Sequence, residues 1–139
     1  MEFKQAESTY IVRIDKGEEL VETLKQLCAE QNITLGSVSG IGAVNKATIG
    51  LFETATKQYH STELTGDFEI ASLAGNITIM NNEPYIHLHI VIADADHKTY
   101  GGHLNTATVS ATAEIIIHTA RTTINRKFSG EIGLNLLKF

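Results

Sequence analysis

The chain has 139 residues, 42% of them hydrophobic and 19% charged, which is typical of one globular domain and excludes a disordered chain. The formal net charge of −5, with eleven Lys and Arg residues scattered along the chain, makes a DNA-binding protein with a basic stripe a poor match. We expect one cytoplasmic domain, 1–139, because Met1–Glu7 is too polar for a secretory signal and no apolar run approaches the roughly 20 residues of a membrane span.

The first predicted elements are a strand and a helix. Residues Tyr10–Ile14 are mostly β-formers, and Asp15 stands three residues before Glu18, which is the spacing of a capping box. Apolar residues then recur at helical spacing along one face, namely Leu20, Leu24, Leu27 and Cys28. The pattern predicts a helix over about 17–31 whose apolar face, with the lone Cys28, lies in the core.

After the helix, the chain has the short β-rich runs and turn residues that indicate antiparallel strands. The predicted strands are 35–39, 47–53, 68–73, 76–80, 85–93, 108–118, 122–128 and 133–137. Residues 81–84 and 94–98 are rich in Asn and Asp and are predicted to be hairpin loops. The expected fold class is α+β, with a mostly antiparallel, curved, half-barrel sheet packed against one main helix.

Two motifs have the spacing of a binding loop without its context. The segment 34–42 carries a Gly-x-x-x-Gly-x-Gly pattern, but a dinucleotide loop needs a strand before it and a helix after it, and here the order is reversed. We interpret its glycines as positions of strand bends and close backbone contacts. The Asp94-x-Asp96 loop has Thr99 where a calcium hand requires glycine, so we interpret it as a turn.

The segment 85–92 contains the most informative pattern. Side chains alternate faces along a strand, so His87 and His89 are expected on the face opposite the apolar residues between them. His103 follows a Gly-Gly pair that lets backbones approach closely. Three imidazoles with a fourth position open to water suit zinc, and also nickel, iron or copper. The alternative is ordinary surface or hydrogen-bonded histidines, as we expect for His60 and His97.

Two carboxylates are candidates for a catalytic role beside such a site. Parity along 110–118 places Ala111, Ala113, Ile115 and Ile117 on one face and Glu114 on the other. Glu114 could orient a ligating imidazole or accept a proton from bound water, and Glu69 has the same ambiguity. The simpler alternative for Glu114 is an ion pair with Arg121 or Arg126.

Four segments in order, 38–44, 66–76, 87–89 and 101–104, resemble the plants-and-prokaryotes-conserved (PPC) domain, which follows AT-hooks in plant proteins. This resemblance implies a compact α+β homotrimer. It also implies a bound metal, most often taken as zinc, on His87, His89 and His103. The Arg-Gly-Arg-Pro core of the AT-hook is absent here.

The sequence therefore supports two main hypotheses. The first is a small oligomeric metal-binding protein whose open coordination position takes water or a small anionic ligand. The second is a DNA-binding or transcription-associated interaction module without catalysis, with Arg121, Arg126 and Lys127 as the densest cationic stretch. A third is a structural oligomer whose histidines only form hydrogen bonds between subunits.

Overall fold

A computed structural model describes all residues from Met1 to Phe139. One sheet of eight strands makes up most of the molecule, and one short helix packs against it. The strands are β1 (Glu2–Ala6), β2 (Thr9–Asp15), β3 (Gly36–Glu53), β4 (Gln58–Met80), β5 (Glu83–Ala93), β6 (Thr99–Thr119), β7 (Asn125–Ser129) and β8 (Leu134–Lys138), and the helix α1 is Leu20–Glu30. The helix is too short to pass through a lipid bilayer.

The sheet is mostly antiparallel and curved, as expected. Its order is β1-β2-β6-β3-β4-β7-β8, and β5 pairs with both β4 and β6. Because β3 also pairs with both β4 and β6, the pairings of these four strands form a closed ring. With only one helix of eleven residues, the molecule is closer to an all-β protein than the expected α+β class suggests.

The helix has the predicted buried face but is shorter than the predicted 17–31. Its four apolar residues Leu20, Leu24, Leu27 and Cys28 are buried. The residues before the helix form backbone hydrogen bonds with β6. The amide of Gly17 donates to the carbonyl of Val109, and the amide of Val109 donates to the carbonyl of Glu18. Glu19 is the N-cap, accepting from the amide of Glu22 at 2.6 Å. The helix therefore begins only after this attachment.

The strands are longer than their sequence patterns suggested. The predicted strands 35–39 and 47–53 are parts of β3, and 68–73 and 76–80 are parts of β4. Strand β1 was not predicted. The first half of β4 is exposed on both faces, so it carries no alternation of polar and apolar residues that could identify it.

The two predicted hairpin loops are confirmed. Asn81 and Asn82 both have positive φ angles, 53° and 65°, which suits a tight turn between β4 and β5. In the second loop the Asp94 carboxylate accepts from the amides of Asp96 and Lys98, both at 3.0 Å. This loop is a turn between β5 and β6, as the sequence indicated.

Irregularities in β3 and β6 change one parity prediction. Ala113, Ile115 and Ile117 are buried as expected, whereas Ala111 is exposed. The register between β3 and β6 shifts between the pairs Gly42↔Ala113 and Val44↔Val109, and a shift of this kind redirects side chains. Gly40 and Gly42 flank a register shift between β3 and β4, and a Cβ at Gly42 would overlap the backbone of Thr112 and Ala113 in β6.

Candidate metal centre

Three histidines meet on the outer face of the curved sheet. In β5 the side chains of Leu88 and Ile90 are buried, and His87 and His89 point to the opposite side. His89 is the register partner of His103 across the β5–β6 pair, which places His103 on the same face. Strand alternation and pairing register therefore bring all three imidazoles together.

The spacing of the three rings suits one small ion. The ring centroids lie 5.3 Å apart for His87–His89, 5.2 Å for His87–His103 and 5.7 Å for His89–His103. One nitrogen from each ring lies within 4.8 Å of those of the others, and no carboxylate or thiol belongs to the group. Three neutral imidazoles are the ligand set of open zinc sites, so these residues fit a divalent metal.

Electrostatics keeps two of these rings neutral. Burial, and after it the nearby charge of Arg126, lowers the pKa of His87 to about 4. Burial, followed by the influence of His89, also lowers the pKa of His103. The neutral imidazole is the form that binds metals, so both rings are ready to coordinate near neutral pH without losing a proton.

A close backbone approach helps to shape one side of the cluster. His103 is opposite Gly50 of β3, and the Tyr59 hydroxyl lies where a Gly50 side chain would be. This hydroxyl donates to Asn105 Oδ1 at 2.6 Å, and the Tyr59 ring meets His103 edge-on with centroids 6.2 Å apart. Tyr59 therefore forms a wall beside His103, which the local sequence did not reveal.

Arg126 forms the other side of the cluster. Its Nη2 lies 3.4 Å from His87 Nδ1 and donates to Asn76 Oδ1 at 2.8 Å. Its guanidinium also lies over the Tyr85 ring, 4.7 Å from the centroid. The sequence identified Arg126 as one of three cations and as a possible partner of Glu114, but not as a neighbour of His87, because no local pattern links β7 to a strand so far back in the chain.

The two candidate carboxylates lie away from the histidines. Glu69 is opposite Ala93, which is roughly 13 Å along β5 from His89. Glu114 is roughly 35 Å further along β6 than His103. Both are exposed.

The predicted ion pair of Glu114 with Arg121 or Arg126 is wrong. The register neighbours of Glu114 are Arg13 and Ile41, and it forms no salt bridge. The guanidinium of Arg126 is bonded to other groups in β4 and β8. The pairing failed because parity within one strand says nothing about which strand lies beside it.

The three cations of the DNA hypothesis do not share one surface. Arg126 and Lys127 are consecutive in β7 and so point to opposite faces, and Arg126 is partly buried against β4. Arg121 precedes this strand and is exposed. The remaining histidines of the sequence analysis, His60 and His97, are exposed as expected.

A curved antiparallel sheet with one short helix and a three-histidine cluster on its outer face defines a small protein with a candidate metal centre. Residues 1–121 match the model of the Plants and Prokaryotes Conserved (PCC) domain, and the chain belongs to that family. The resemblance inferred from the sequence motifs is thereby confirmed.

Solved structures with this fold are similar over nearly the whole chain. A protein from Bacteroides thetaiotaomicron, described as a candidate DNA-binding protein, is 34% identical with a TM-score of 0.97, covering 99% of this chain and 96% of that one. A metal-containing protein from Archaeoglobus fulgidus is 32% identical with a TM-score of 0.89, covering 99% and 97%.

The chain also matches a curated sequence that is much longer. It is 32% identical over 110 residues to a bifunctional GlmU protein from a Synechococcus species. The match covers 78% of this chain but only 16% of that protein. The similarity is therefore to a part of the longer protein.

Proposed function

We propose that this protein is a small cytoplasmic homotrimer that binds one divalent metal, with zinc as the expected ion, through His87, His89 and His103. The observation that carries the proposal is the convergence of three imidazole nitrogens within 4.8 Å on one face of the sheet. The description of the similar Archaeoglobus fulgidus protein as metal-containing supports it. Three ligands leave one tetrahedral position for water or a small anion.

Any chemistry at such a centre would come from the metal, which when bound acidifies a coordinated water. The chain's own contribution is to hold two neutral imidazoles beside the wall formed by Tyr59. No carboxylate lies in the cluster to accept a proton. We therefore base the proposal on metal binding and assign no catalytic role to Glu114 or Glu69.

Metal content tests this proposal directly. Tag-free wild-type protein is expected to carry about one metal ion per chain, and the triple variant His87→Ala, His89→Ala, His103→Ala is expected to carry none. Elemental analysis gives the stoichiometry, and circular dichroism checks the fold. The matched control replaces the exposed His60, His97 and His118 with alanine and should keep the metal. Equal metal content in the wild type and the cluster variant would refute the site.

The homotrimer is supported by apolar side chains on the outer face of the sheet. Ile11 is 49% exposed and Ile41 is 59% exposed. Ile11 is opposite Ile116 across the β2–β6 pair, and Ile41 lines the same shallow groove, so the three side chains form one apolar surface. Exposed apolar surface of this kind is common where subunits associate.

A charge on this surface should break the assembly. We expect wild-type protein to have the mass of three chains in light scattering and Ile41→Asp to have the mass of one, because an unpaired carboxylate in an apolar interface is costly to desolvate. Ile132→Asp, in the turn between β7 and β8, is the control and should stay trimeric. A monomeric wild type or a trimeric Ile41→Asp would contradict this interface.

DNA binding is the alternative function, and the description of the Bacteroides thetaiotaomicron protein favours it. It requires a surface on which phosphates are neutralised by several cations. The acidic net charge and the separated positions of Arg121, Arg126 and Lys127 place it second. A gel shift that weakens steeply with salt would support it, and the absence of any shift at low salt would exclude it.

A further inference from the structure

Arg126 is a partly buried cation without an anionic partner. None of the salt bridges in the molecule includes it. Burial lowers its pKa, and Tyr85 is the only group that acts in the opposite direction. Its hydrogen-bond acceptors are a hydroxyl, a backbone carbonyl and a side-chain amide, and the histidine cluster contains no carboxylate, so no anion balances the guanidinium locally. A metal dication would add to this excess.

The guanidinium is held rigidly by three strands. Nε donates to Thr78 Oγ1, Nη1 donates to the carbonyl oxygen of Asn135, and Nη2 donates to Asn76 Oδ1, each at 2.8 Å. The Tyr85 ring supports one of its faces. Such a group is already ordered, so an anion that binds to it does not have to immobilise a long flexible side chain.

One N–H of this guanidinium is directed at His87, one of the three candidate metal ligands. Nη2 faces His87 Nδ1 at 3.4 Å, a distance at the limit of a hydrogen bond. When a histidine binds a metal through Nε2, its ring proton lies on Nδ1, which then cannot accept. Coordination of His87 through Nε2 would therefore leave this N–H of Arg126 without an acceptor.

We propose that Arg126 is the anion-recognising residue of this site and that the natural ligand is a small molecule carrying a carboxylate or an inorganic oxyanion. This inference rests on the proposed metal site, because the anion is held by the ion and by the guanidinium together. The positive charge of the guanidinium favours an anion there, and a charge-assisted N–H···O bond gives it direction. Arg126 is one cation, whereas a polyanion such as DNA needs several cations on one surface, so a small anion is the better match.

The test uses cobalt-loaded protein, whose visible spectrum reports a change at the coordination sphere, titrated with acetate, inorganic phosphate and the neutral analogue acetamide. We expect wild-type protein to bind acetate or phosphate, and acetamide at least about 10-fold more weakly. Stronger binding of acetate than of phosphate assigns a carboxylate, and the reverse order assigns an inorganic oxyanion.

The variants separate the charge from the geometry of Arg126. Arg126→Gln keeps amide donors for its neighbours but removes the charge, and should weaken anion binding at least about 10-fold with cobalt stoichiometry unchanged. Arg126→Lys keeps the charge without the fork and should be intermediate. Arg121→Gln, at an exposed arginine, is the control and should match the wild type. Equal anion affinity in Arg126→Gln and the wild type would overturn the proposal.

The experiment distinguishes a failure of the proposed metal site from a failure of the anion proposal. If wild-type protein takes up no cobalt, the proposed function is refuted before any anion is added. Calorimetric titration of the metal-free protein with phosphate then decides the role of Arg126 alone. Phosphate binding that disappears in Arg126→Gln would support anion recognition, and the absence of phosphate binding would refute it.

Discussion

Gly75→Ala is expected to lower the free energy of unfolding by about 2–4 kcal/mol and to disturb the position of His87. Gly75 lies in β4 directly opposite Leu88 of β5. A Cβ built at Gly75 would overlap the backbone carbonyl oxygen of His87. Backbone cannot rotate away as a flexible side chain can, so the two strands would have to separate.

Chemical denaturation and metal titration measure the two parts of this effect. The destabilisation should appear in the midpoint of unfolding, and metal affinity should fall because the His87 backbone moves. Gly130→Ala is the matched control, since a Cβ there meets no atom within 4 Å, and it should behave as the wild type. A Gly75→Ala protein with wild-type stability would show that β4 and β5 are not this close.

Arg126→Met is expected to release the hairpin formed by β7 and β8 from the rest of the sheet. Only one residue pair, Ile79↔Asn125, joins β7 to β4. The arginine adds bonds to Thr78 and Asn76 of β4 and to Asn135 of β8. Methionine fills similar space but donates no hydrogen bond, and it leaves the Thr78 hydroxyl, in a residue only 1% exposed, without this donor.

Hydrogen exchange locates this effect within the chain. Backbone amides of 125–138 should exchange faster in Arg126→Met, and the free energy of opening this segment should fall by about 2–4 kcal/mol for the lost hydrogen bonds and the lost contact with Tyr85. Lys127→Met is the control, because its side chain points to the other face of β7. Unchanged exchange in Arg126→Met would mean that other contacts hold the hairpin.

The arginine and its hairpin also lie outside the part of the chain that the family model matches, residues 1–121. The histidines lie within it. Similar solved structures nevertheless cover 99% of this chain, so the segment from 122 onward belongs to the fold that they share. In the anion proposal, ligand recognition depends on Arg126 of this segment.

Local periodicity was sufficient to predict those elements that contact the core on one side and are more exposed on the other. Four apolar residues at helical spacing predict the buried face of the helix. Strict alternation of polar and apolar residues predicts the side of β5 that carries His87 and His89. Both follow from contact with the core on one side only, which forces a repeat on the sequence. The hairpin loops were visible for a similar reason, since few residues tolerate the backbone angles of a tight turn.

Where contact with the core changes along an element, the same reasoning failed. The exposed half of β4 has no alternation, the bulged part of β6 places Ala111 on the exposed side, and residues 17–19 pair with β6 instead of beginning the helix. In each case a distant segment decides the local structure. Such an effect leaves no periodic signal in the segment itself.

The features of the candidate site also separate into those that the sequence predicts and those that depend on strand pairing. The sequence by itself determined the family, the face of β5 that carries two histidines, and the presence of a third histidine after a flexible Gly-Gly pair. Only the tertiary structure decided that His103 stands opposite His89, that Glu69 and Glu114 are remote, and that Arg126 lies beside His87. The physical reason is that alternation is a property of one strand, whereas register and strand order depend on pairings between residues far apart in the chain.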